Sequence, residues 1–169
     1  MHRSVSIFSF VFAWTLGSCI KGTPTDSRPM AHTVSFTMNG GLYSNESYTL
    51  ATPLYPSSGA TYDTTLRVTW CNVYGAPSNV PYSVNIWFPG AQQGTFAWTY
   101  ALPLESYISI QLAYGQQSRL SSTTNGSTTV TSYGNTGEQV VGTFSGFFLE
   151  RSVYDTVAIN GSFSITRIK

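Results

Sequence analysis

The chain reads as all-β, an antiparallel β-sandwich of about eight to nine strands, and three observations carry that reading. Apolar residues recur with period two along short segments, clusters of Gly, Pro and Asn separate those segments, and no window of a dozen residues carries a helical stripe. Composition points the same way. Of 169 residues, 45 are Ser or Thr, 15% are aromatic and 9% are charged, and β-branched and aromatic side chains suit a pleated surface. At roughly 150 residues per domain the length allows one compact domain plus a tail. A formal charge of +1 supplies no field for neutralising phosphates, so nucleic acid is not an expected partner.

Taken in chain order, the N-terminus is an address. His2 and Arg3 give a positive start, and residues 5–16 form an uncharged run of signal-peptide length, shorter than the roughly 20 residues that span a bilayer. Leu16-Gly17-Ser18-Cys19 follows. This segment resembles the lipobox of bacterial lipoproteins, with Leu three residues before the Cys and small residues between, although Gly17 is a less usual middle residue than Ala or Ser. The resemblance implies cleavage after Ser18, diacylglycerol on the Cys19 thiol and acylation of the new amino terminus. Membrane lipid is then a partner through Cys19, and the cell envelope, at the outer membrane, is the implied location. Residues 1–18 are read as signal peptide, 19–31 as a flexible tether, and 32–169 as the folded domain; losing Arg3 leaves the mature chain formally neutral.

The strands follow. Residues 33–38 and 47–52 are the first two, parted by Asn39-Gly40-Gly41, and Pro56-Ser57-Ser58-Gly59 reads as a turn. In residues 66–74 the series Leu66, Val68, Trp70 is assigned to the core face against Arg67, Thr69 and Cys71. With Cys19 spent on the anchor, Cys71 has no disulfide partner and reads as a small buried hydrophobe. Tyr82, Val84, Ile86 and Phe88 alternate with Ser83, Asn85 and Trp87, and Ile108, Ile110 and Leu112 with Ser109 and Gln111. Residues 94–98, 128–133, 139–148 and 156–168 complete the set, with Asn125-Gly126 and residues 134–137 as turns. An up-and-down β-barrel is the alternative architecture. An outer-membrane barrel ranks below both, since the second face carries Thr, Ser, Gln and Arg where a lipid-facing apolar band is needed.

The chain closes on Gly142-Thr143-Phe144-Ser145-Gly146 and Ile159-Asn160-Gly161-Ser162-Phe163. These segments resemble the terminal strands of small uncharacterised β-rich lipoproteins of Bacteroidota. The resemblance implies a lipid-anchored β-sandwich and brings no activity. Gly142 and Gly146 flank Phe144 on its own face, where glycine lets a ring or backbone approach closely, and Asn160-Gly161 reads as a turn or a bulge.

Chemistry is sparse. After cleavage the only histidine is His32, the seven acids stand singly, and neither metal-ligand spacing nor a phosphate-cradling motif occurs. No cofactor is expected, and the first functional reading is a non-catalytic binding or structural module of the envelope. The second is a carbohydrate- or small-ligand-binding domain. For it Trp87, Trp98 and Tyr107, with Tyr100, fall off the core register and would offer a platform to a glycan or an envelope protein; burial between sheets or under a loop is the competing place for the two tryptophans. The third, a hydrolase, needs two of the scattered acids to meet in a cleft.

Overall fold

The computed structural model describes residues 32–52, 57–100, 105–115, 119–151 and 153–169. The signal peptide, Cys19 and the tether of the sequence reading lie outside these residues. Among the described residues there are ten strands: β1 His32–Gly40, β2 Tyr43–Thr52, β3 Gly59–Asp63, β4 Val68–Tyr74, β5 Ser83–Pro89, β6 Gly94–Ala97, β7 Tyr107–Gln111, β8 Arg119–Tyr133, β9 Gln139–Glu150 and β10 Asp155–Thr166.

All ten join one antiparallel sheet in the order β2-β1-β10-β9-β8-β7-β5-β4-β3, with β6 beside β8. The sheet curls into a half-barrel. Its far edge returns to the C-terminal end of β10, where the Ile168 amide donates to the Ala60 carbonyl at 2.8 Å and the Tyr62 amide to the Lys169 carbonyl at 3.1 Å. The all-β architecture is as expected, with ten strands in place of eight to nine. The additional strand is β3, whose sequence Gly-Ala-Thr-Tyr-Asp shows no alternation to announce it.

Curling puts one face inside. Val34, Phe36 and Met38 of β1, Val84, Ile86 and Phe88 of β5, Ile108 and Ile110 of β7, and Val157, Ile159, Phe163 and Ile165 of β10 are all buried in one core, each large side chain contributing roughly 1.5–3 kcal/mol. The opposite face explains the hydroxyl-rich composition. Thr95, Thr129, Thr143, Ser162, Ser35 and Thr49 pair in register across six adjacent strands, the reverse of an apolar band turned toward lipid.

Three pairings place glycine under an aromatic ring. Gly161 of β10 is in register with Phe144 of β9, and Gly142 of β9 with Phe163 of β10; a Cβ on either glycine would overlap the facing ring. Gly126 and Gly146 together make room for the Trp98 indole. This cross-strand covering of glycine by an aromatic pins register as well as filling space. Asn160-Gly161 is thus neither turn nor bulge but regular strand, paired on both sides. Asn125-Gly126 also lies within a strand, where the β8–β9 register shifts between Ser122 and Gly126.

One face assignment is reversed. In β4 Thr69, Cys71 and Val73 are buried, and so, as expected, is Val68 at the start of the strand, while Trp70 points outward and is only partly covered. The partner strand dictates this: Cys71 pairs with Ile86 and Val73 with Val84, both core residues of β5, while Trp70 pairs with the outward Trp87. A one-residue offset exchanges the faces of a strand completely.

Candidate binding site

The outward faces of β4, β5, β7 and β8 form a concave wall enclosing about 630 Å3, within the usual 300–1,000 Å3 of a small-molecule site. Strand register organises its lining into rows that run across the strands. The first row is aromatic, Trp70 to Trp87 to Tyr107. The second is polar, Asn72 to Asn85 to Ser109 to Ser121. The third begins Tyr74 to Ser83 to Gln111.

The aromatic row is a ladder of stacked rings. Trp70 and Trp87 stand 5.0 Å apart between centroids at 16°, and Trp87 and Tyr107 4.9 Å apart at 29°. Tyr100 extends the ladder, tilted by 31° at 5.6 Å from Tyr107, and its hydroxyl donates to the Ser122 carbonyl. The loop that brings Tyr100 and Glu105 to the wall is fastened at its base by paired backbone bonds between Thr99 and Ser106, at 2.7 and 3.0 Å. Because each ring uses its faces on its neighbours, the ladder offers ring edges to the groove, and Tyr100, about half exposed, keeps the most open surface.

The polar row has the opposite character. Among the described residues no hydrogen bond engages the side chains of Asn72, Asn85, Ser109 or Ser121, and the Trp70 indole N–H beneath the ladder is buried with no acceptor. These part-buried amides and hydroxyls line the groove with no protein partner, which leaves them to bond to whatever fills it, water included. Burial, with the Glu105 carboxylate nearby, pushes the Tyr107 phenol up to about 12; it stays protonated. Glu105 and Arg151 are the only charged side chains lining the groove among the described residues.

Two further recesses continue the groove. One of about 480 Å3 shares Tyr74 and reaches Pro77 and Tyr82. Another of about 330 Å3 shares Tyr100, Ser121 and Arg151 and reaches Leu149 on β9.

Of the residues singled out in the sequence, Trp87, Tyr107 and Tyr100 come together here. Trp98 does not. It is buried in the core at 2% exposure, its Nε1–H donating to Thr128 Oγ1 at 3.0 Å and its ring set edge-on against Phe148. The glycines beneath it drew it inward, and no alternation pattern signals that. Trp70 was missed for the converse reason, having been assigned to the core; its outward neighbour Trp87 across the strand is the signal that would have corrected it. Cys71 is buried, which pushes its thiol well above the ordinary range and keeps it unreactive. No three His, Cys, Asp or Glu side chains gather as a metal set among the described residues. Comparison with protein-family models, curated proteins and solved structures finds no match for the chain.

Proposed function

We propose that the chain is a non-catalytic binding module held at the cell envelope by lipid on Cys19, with the outward groove of β4, β5, β7 and β8 as its ligand surface. The observation that carries the groove is the unpartnered polar row Asn72, Asn85, Ser109 and Ser121 set beside the Trp70–Trp87–Tyr107 ladder. Such an arrangement of a few convergent polar groups against aromatic walls is how small-ligand sites are built. A single carboxylate, Glu105, lines the groove among the described residues, whereas glycoside hydrolysis uses a pair; the lining is that of a surface that holds a ligand. The anchor rests on the lipobox resemblance and supplies the reason to display a groove outside the cytoplasm.

A thermal-unfolding screen tests the groove. The full chain and its Asn85→Ala/Trp87→Ala variant are exposed to sugars, peptides and amphiphiles. At least one class should raise the unfolding midpoint of the parent chain and leave the variant unmoved, since a ligand at a hundred times its Kd stabilises by about 2.7 kcal/mol. Equal responses in both proteins across every class would remove the groove from the reading.

A further inference from the structure

Resting on the groove reading above, we infer that the occupant is a linear oligosaccharide of neutral sugars lying across the strands. Shape is the first ground. The central groove shares Tyr74 with one recess and Tyr100, Ser121 and Arg151 with the other, so the concavity continues from β4 to β9. That is four strand spacings, roughly 19 Å at about 4.8 Å each. An elongated ligand fits this track, and a compact one leaves most of it empty.

Chemistry is the second ground. Asn72, Asn85, Ser109 and Ser121 repeat at one strand spacing, and each amide or hydroxyl both donates and accepts. A sugar hydroxyl does the same, so a row of them meets a row of such groups without leaving either unsatisfied. A peptide strand would look for free backbone N–H and C=O groups, but β5 and β7 have neighbours on both sides and spend theirs in the ladder. A phosphate-rich ligand would need several cations, and the charged side chains described on the groove are one of each sign, Arg151 and Glu105. An acyl chain would need an apolar floor, which the Asn and Ser row denies it. Tyr100, the most exposed ring of the ladder, is the one with surface left for a sugar to stack on.

The test is a printed array carrying neutral oligosaccharides, uronate-bearing oligosaccharides and peptides, probed with the full chain in detergent, followed by titration calorimetry of the hits. Neutral oligosaccharides longer than a disaccharide should bind, with an affinity unchanged between about 0.1 M and about 1 M salt, where screening of charge pairs changes strongly. Asn72→Ala/Asn85→Ala should weaken that binding at least tenfold, which is about 1.4 kcal/mol, without moving the thermal midpoint. Tyr100→Ala, at the exposed mouth, should weaken it too and stands in should the double variant fail to fold. Binding confined to uronate-bearing sugars or to peptides, and lost in the same variants, overturns the neutral-sugar inference while leaving the groove as the ligand surface. Neutral-sugar binding that ignores both variants overturns the site, and silence in all arms overturns the neutral-sugar inference, while the groove reading itself is decided by the thermal-unfolding screen.

Discussion

At Gly161 a hydrogen atom occupies the space where any other residue would place a carbon 2.4 Å from Phe144 Cζ and 2.7 Å from the Ser35 carbonyl oxygen. Gly161→Ala should therefore cost about 1–3 kcal/mol, the range for forcing an extra carbon into a filled core. Pairing it with Phe144→Leu should cost less than the two changes summed, because the smaller side chain vacates part of the contested volume. Urea denaturation of the four proteins measures this; a Gly161→Ala midpoint equal to that of the parent would show that the ring does not rest on the glycine. Close-approach glycines of this kind were half legible in the sequence. The flanking of Phe144 by Gly142 and Gly146 suggested close contact, and rings do lie on these positions. Which ring lies over which glycine depends on strand order, so the sequence leaves Trp98 between an exposed platform and a buried place, and Gly126 and Gly146 decide for the buried one.

Among the elements, the corner where β1, β2 and β10 meet holds an acid-sensitive group. His32 is fully buried there; its Nδ1 accepts the Thr166 amide at 3.2 Å, which places the neutral ring's proton on Nε2, an atom with no partner. Burial lowers the His32 pKa from its ordinary 6.5. The unfolded chain then takes up the proton before the folded one does, so the contribution of His32 to stability is level above about pH 6.5 and falls as pH drops below it, by at most about 1.4 kcal/mol per pH unit for one proton. Urea midpoints between pH 7.5 and 5.5 should show that fall, and His32→Asn, whose Oδ1 can accept the same amide, should flatten it. An equal slope in both proteins would assign the effect to other groups. Element by element, β5 and β7 were legible because each alternates Val or Ile with Ser, Asn or Gln. The first outward residue of β4 was not, since Val68 and Trp70 suit either face and only the pairing of Cys71 with Ile86 decides. The Asn-Gly pairs at 125–126 and 160–161 resemble turn signals, yet here glycine serves ring packing inside a strand.

For the molecule as a whole, the class was readable from composition and period, while the closure was not, because the bond from Ile168 to Ala60 joins residues far apart in the chain and leaves no local pattern. The groove was legible in part: Trp87, Tyr100 and Tyr107 stood off the core register, but the polar row that gives it chemistry exists only once four strands are in register. The proposed anchor concerns the whole chain and has its own test. Growth with a palmitate analogue should label the wild type and leave Cys19→Ala bare; a label equal in both would dismiss lipid at that residue. The direction of β9 then acquires a meaning. Its first residue, Gln139, pairs with Thr166 beside His32, where the chain leaves the domain toward Cys19, and its last, Glu150, precedes Arg151 at the groove. Eleven residue steps at about 3.3 Å separate the two, roughly 36 Å. If the label falls on Cys19, the anchored segment enters the domain at one end of β9 and Arg151 of the groove follows its other end, so the ligand surface and the point of attachment are a strand's length apart.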